Sequence, residues 1–196
     1  MGRKVPLQYQ ATEYDCGNVA IMNALNYVLD FSSIPAVFLK TVYNVCMNEC
    51  NTVGMVGTRG TSIEAIRYLA KWFNDYSQKT GFPLKCKIYE DKDVTFLNDS
   101  NLLSELKKHN TAIVLYCTMY DEHYLTLTDA DDMFMYLFDP YFWDIDFEDD
   151  RIIRINGKPL YANRRIPVDF WETKDGNYYT FKGIKNKFAV VFEKTE

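Results

Sequence analysis

Cys16 is followed by Gly17 and then by apolar residues at helical spacing, Val19, Ala20, Ala24, Leu25 and Val28. That spacing predicts a buried helix starting at the cysteine, and it fixes where the thiol sits. The first turn of a helix carries unpaired N–H groups and partial positive charge. A thiol placed there converts more readily to the thiolate, which is the nucleophile. Gln10 arrives just upstream, in Gln10-Ala11-Thr12-Glu13-Tyr14-Asp15-Cys16. Its side-chain NH₂ is suited to donate to an oxyanion. The segment therefore reads as half of a thiol acyl-transfer site, and the other half must include a base.

The chain holds only 2 histidines. His109 ends Leu102-Leu103-Ser104-Glu105-Leu106-Lys107-Lys108-His109-Asn110, which reads as the basic last turn of a helix with Asn110 as its cap. His123 opens His123-Tyr124-Leu125-Thr126-Leu127-Thr128, which alternates as a half-buried strand does. Asp129-Ala130-Asp131-Asp132 is a turn, Met133 to Phe138 a second strand, and Asp139-Pro140 ends it. A three-residue loop from Ala130 to Asp132 would pair residue 129 with 133 and set His123 opposite Asp139. Opposed residues of an antiparallel pair share a face, and a one-residue slip would separate them. A carboxylate beside an imidazole fixes the tautomer of a catalytic base. Proline cannot continue a ladder, so Asp139 reads as the last strand residue.

Each feature alone has a plainer reading. A buried cysteine is more often a small core residue than a nucleophile, and an Asp-Pro step is usually a turn. Their conjunction points elsewhere, because a cysteine with a distant histidine and carboxylate is the layout of a thiol nucleophile.

With these residues in place, the chain resembles the papain-like cysteine peptidases. Within them it is similar to the bacterial bacteriocin-processing, double-glycine leader peptidases and their stand-alone relatives. Gln10 through Cys16-Gly17 with Ala20, His123-Tyr124 opening a strand, and Asp139-Pro140 ending the next carry the likeness. Gly60-Thr61-Ser62 before a helix adds a fourth stretch. The resemblance implies a Cys16–His123–Asp139 triad with Gln10 in the oxyanion hole; no cofactor and no metal are expected. It implies a peptide or protein substrate cleaved through a thioester acyl-enzyme, with leader-peptide processing as the family's use. The chain departs from that pattern in an insert, Asn44 to Arg59, that holds Cys46 and Cys50. It departs again in Tyr141-Phe142-Trp143, where a glycine often stands, and in a longer tail after Asp139-Pro140.

Composition fits a compact enzyme. At 196 residues the expectation is a single papain-like domain over 1–196, with a helical half at about 8–80 and a sheet half at about 84–196. A hydrophobic fraction of 47% and an aromatic fraction of 16% argue against disorder. The net charge of −5 gives no basic face for nucleic acid. Five cysteines, an odd number, do not make a disulfide framework. Cys46 and Cys50 have the spacing that puts two thiols on one helix face, but no histidine remains to complete a zinc site. Met1 to Leu7 is basic without a following apolar segment, and no apolar run reaches the ~18 residues of a membrane span. The expected location is cytoplasmic unless a signal peptide has been removed.

Further elements are legible. Ser32-Ser33-Ile34-Pro35 starts a second helix. Thr61 to Glu64 resembles a capping box ahead of an apolar stripe at Ile63, Ile66, Ala70 and Phe73. Leu84, Cys86 and Ile88 alternate as a strand, a helix is expected at about 101–109, and Thr111 to Cys117 reads as a central strand. Asn156-Gly157 signals a hairpin between 151–155 and 159–162, and Phe188 to Phe192 is a last strand. Helices first and antiparallel strands after define an α+β fold of papain-like architecture, an N-terminal helical half packed on a C-terminal sheet. The leading function is a cysteine hydrolase cleaving a peptide amide bond. A thiol acyltransferase or transglutaminase-like enzyme on the same site is one alternative, and a non-catalytic peptide-binding module of the same fold is another.

Overall fold

The structure, a computed structural model, describes residues 4–97, 100–144, 146–172 and 178–195. The apolar run after Cys16 forms α1 (Cys16–Val28), followed by α2 (Ala36–Val45) and α3 (Ile63–Thr80). Then come β1 (Leu84–Glu90), α4 (Asn101–Leu106), β2 (Thr111–Met119), β3 (Asp121–Ala130) and β4 (Phe134–Phe138). β5 (Ile153–Arg154), β6 (Arg164–Pro167) and β7 (Phe188–Lys194) complete the order. The strands make one antiparallel sheet in the order β1-β7-β2-β3-β4-β6-β5. This is the expected α+β class. The last strand, β7, lies between β1 and β2, so the tail is built into the sheet.

The sheet is covered on both faces. Val114, Tyr116, Tyr124 and Val190 belong to the face that packs on Ala20, Ala24 and Leu25 of α1 and on Phe73 of α3. Leu115, Cys117, Leu125, Leu127 and Leu137 belong to the other face, with Leu102, Leu103 and Leu106 of α4, Phe96, Trp171 and Tyr179. Double coverage is why β2 reads as an unbroken apolar run. Phe38 of α2 is fully buried among Trp72, Phe73, Tyr76 and Phe82, with ring centroids 4.8–5.5 Å away. That cluster fastens α2 to α3 through large aromatic contact areas. No helix among the described residues is long and apolar enough to cross a membrane.

Several local expectations are corrected. The β3–β4 turn falls one residue further on. Asp131 Oδ1 accepts from the amides of Met133 and Phe134, so Met133 belongs to the turn and is exposed. Ala130 pairs with Met135 and Asp129 with Tyr136, and a bulge at Thr128 then absorbs one residue, giving Leu127–Leu137 and Thr126–Phe138. Continued, that register sets Asp139 opposite Leu125, so His123 is its diagonal neighbour and not its direct partner. The bulge matters, because without it the two side chains would lie on opposite faces.

Ser62, not Thr61, caps α3; its Oγ accepts from the Ala65 amide at 3.1 Å, and Glu64 closes no box. α4 stops at Leu106, and Asn110 takes the left-handed conformation (φ 56) in the turn beyond, leaving His109 exposed. β6 begins at Arg164, so the loop around Gly157 is longer than a two-residue hairpin. Cys46 and Cys50 do not share a helix face. α2 ends at Val45, Cys46 is buried just past it, and Cys50 is exposed in an isolated bridge to Val56.

Candidate active site

Cys16 is the first residue of α1 and is 8% exposed. The helix can approach so closely because residue 17 is glycine. A Cβ there would lie 2.8 Å from Thr61 Cβ and 2.9 Å from Thr61 Oγ1. Thr61 is itself fixed, since its Oγ1 accepts from the Met47 amide at 2.9 Å. Gly60 before it has φ +86, which favours glycine, and packs under the Tyr14 carbonyl. The Gly60-Thr61-Ser62 stretch is thus the seat of the thiol-bearing turn.

Asp15 precedes the helix but does not cap it. Its carboxylate turns back and accepts from the Ala11 amide (3.0 Å), the Thr12 amide (2.9 Å) and the Thr12 hydroxyl (2.9 Å). The loop carrying Gln10 is therefore held by a buried carboxylate, and the first amides of α1 keep no intrahelical partner. The Gln10 amide N–H bonds to the Pro140 carbonyl at 2.8 Å, tying this loop to the end of β4. Gln10 Nε2 donates one hydrogen to the Thr12 carbonyl at 2.7 Å, and the side chain lines the same cleft as Cys16 and His123.

His123 is 6% exposed and its Nε2 lies 2.9 Å from Asp139 Oδ1. Cys16 lies close enough to the same imidazole to add to its shift, and the two residues line one cleft. Burial opposes a charge on this ring, but the Asp139 charge and hydrogen bond, helped by Cys16, outweigh it and push the imidazole up to about 10. Asp139 is 0% exposed. Burial alone would raise its carboxyl; the charge and hydrogen bond of His123, the Tyr179 hydroxyl and the Tyr141 amide outweigh burial and hold it below the usual carboxylate range. Tyr179 Oη donates to Oδ2 at 2.7 Å and the Tyr141 amide to Oδ1 at 2.8 Å. Asn163 brackets the Asp139 backbone, accepting its N–H and donating to its carbonyl, both at 2.8 Å.

The structure thus brings Gln10, Cys16, His123 and Asp139 to one place. The open side is a cleft of about 510 Å³, walled by Tyr14, Tyr120, Tyr141 and Trp143 and edged by Glu13, Asp121 and Glu122. Sequence reasoning missed Asp15, Asn163 and Tyr179. Asp15 had a signal, a carboxylate directly before the cysteine. Asn163 and Tyr179 had none, because their contacts with Asp139 span the tail. Of the remaining cysteines, burial pushes Cys46, Cys86 and Cys117 up, and Cys50 lies out on the 44–59 segment. Among the described residues, no group of three or more His, Cys, Asp or Glu side chains is arranged to hold a metal ion.

No protein-family model matches the chain, and no curated protein matches it. Among solved structures it is similar to a double glycine motif protease from an AMS/PCAT transporter, crystallised in complex with the leader peptide. The identity is 16% and the TM-score 0.48, over 99% of this chain and 95% of that one.

Proposed function

We propose that this chain is a cysteine peptidase that hydrolyses an amide bond of a peptide through Cys16, His123 and Asp139. The observation that supports this most is a buried imidazole bonded through Nε2 to a buried carboxylate, with a thiol at a helix start beside it, the imidazole and the thiol lining one cleft. A core histidine satisfied by a structural acid would not also need a thiol and a cleft. In this reading Nε2–H donates to Asp139, which leaves Nδ1 to take the Cys16 proton. Sulfur attacks the carbonyl carbon, and the oxyanion is met by the Gln10 NH₂ and the Cys16 backbone N–H. Losing one such donor typically costs about 10²–10³ in rate. The C–N bond breaks as His123 returns the proton to the leaving amine, and water, deprotonated by His123, then cleaves the thioester. Cys16 comes from the helical part and His123 with Asp139 from the sheet, so the reading treats both as one catalytic domain.

The test is a peptide library, including double-glycine leader sequences, incubated with the protein and with Cys16→Ala and read by mass spectrometry. Cleavage by the first and not the second is the expected outcome. Products carrying an added amine in place of water would assign acyl transfer instead. No cleavage of any peptide, with Cys16 unreactive, would overturn the reading.

A further inference from the structure

Beside Cys16, and separate from His123, lies a second recess of about 210 Å³. That is below the roughly 300–1,000 Å³ of a whole small-molecule site, so it has room for one side chain. Its back wall is the pair Tyr116 and Tyr124, with ring centroids 4.9 Å apart. Tyr124 is 3% exposed and its hydroxyl has no hydrogen-bond partner among the described residues, although the residue lines the recess. An unpaired buried hydroxyl is costly to leave unmade, so a ligand group that pairs with it gains. Around it stand Glu49 from the 44–59 segment, Glu64 from the first turn of α3 and Glu122 from β3. Among the described residues Arg59 is the one cation lining the recess, against three carboxylates. Glu64 is engaged by Arg67 at 3.4 Å, which leaves the half-buried Glu49 and the exposed Glu122 as the carboxylates that count.

We propose that this recess is the substrate's side-chain subsite on the acyl side of the scissile bond, and that it selects a basic residue, lysine or arginine. The proposal rests on the peptidase reading and names its substrate class: a peptide with a cationic side chain next to the cleaved carbonyl. The side is set by chemistry. The leaving amine must approach His123 to receive its proton, and the recess touches Cys16 but not His123. The ammonium N–H groups would donate to the Tyr124 oxygen and to the carboxylates, while the aliphatic stem lies along the tyrosine rings. The local field agrees. Burial is the largest cause raising both tyrosines; the Glu122 hydrogen bond and the Glu122 and Glu49 carboxylates add to it at Tyr116, and Glu49 adds to it at Tyr124. A bound cation would offset these carboxylates.

The experiment uses the full chain and two series of short peptidyl chloromethyl ketones. They carry lysine, norleucine or glutamate at the first or second residue from the reactive carbon, and the rate of labelling at Cys16 is read by intact mass. In one of the two series lysine should label roughly tenfold faster than norleucine, with glutamate slowest. In Glu49→Gln/Glu122→Gln that ratio should fall toward one, and in Tyr124→Phe it should fall part of the way. A wild-type ratio of one or below in both series, or a ratio unmoved by the double substitution, overturns the proposal. If no ketone labels Cys16, the peptidase reading fails separately. The subsite is then judged by fluorescence anisotropy with fluorescein-labelled lysine and norleucine tripeptides. Tighter lysine binding supports it and equal binding overturns it.

Discussion

The two faces of the sheet carry different halves of the site, and they are held in different ways. The face under α1 carries Cys16, and its geometry comes from close neighbours in sequence: Asp15 folding the loop before it, Gly17 allowing contact with Thr61. His123 alternates with Tyr124 along β3 and so belongs with the other face, where Asp139 is fixed by Tyr141, Asn163 and Tyr179. Those partners reach 40 residues along the chain. The thiol and the imidazole meet at the end of the sheet where β3 begins. A thiol on a helix is local information, whereas a base oriented by an acid is a product of the whole sheet.

That contrast can be broken by substitution. Cys16→Ala and His123→Ala should each lower peptide turnover by at least about 10⁴-fold with circular dichroism and melting nearly unchanged, since each removes chemistry from one half. Asp139→Ala should instead cost stability, about 3–5 kcal/mol in urea titration, by leaving His123, the Tyr179 hydroxyl and the Tyr141 amide facing a hole. Asp139→Asn should keep part of the activity and lose the charge that raises His123. The alkaline limb of the pH–rate profile should then move to lower pH.

The same pair predicts how folding stability follows pH. His123 rises from 6.5 to about 10 in the folded protein, so its contribution is complete below about 6.5 and is lost as pH climbs through about 10. Asp139, held below its ordinary 3.8, contributes above that value and loses its contribution as pH falls through its depressed one. Wild-type urea midpoints should therefore drop at both ends, and the alkaline drop should shrink in Asp139→Asn.

Smaller effects sharpen the comparison. Tyr179→Phe should cost about 1.5–3 kcal/mol, the range for a hydrogen bond to a charged group, and should lower kcat with little change in KM. Gly17→Ala should cost about 1–3 kcal/mol through overpacking against Thr61, read as a lowered urea midpoint.

The α1 half was largely legible because helical periodicity, Cys-Gly and an upstream glutamine all act within a few residues. Gly60-Thr61-Ser62 was visible as a stretch, but its use as the seat for Gly17 was not. The His123–Asp139 contact was read from alternation and a terminal proline, yet through a register that the structure replaces. The Asp131 side chain moved the turn, and a bulge at Thr128 restored the face. Side-chain turns and bulges leave little trace in hydrophobic pattern. Tyr179 and Asn163 left none, because nothing local distinguishes a tyrosine that reaches a buried acid from one that fills a core. The acidic recess was hidden likewise, since Glu49, Glu64 and Glu122 come from three elements.

The central claim is that the two faces together make an activated thiol at Cys16. Iodoacetamide labelling at about pH 6, followed by intact mass and peptide mapping, tests it directly, because an unactivated thiol reacts slowly there. Cys16 should be labelled first and quickly in the native protein, and slowly in His123→Ala. Equal rates in the two proteins, or labelling confined to the exposed Cys50, would contradict the account.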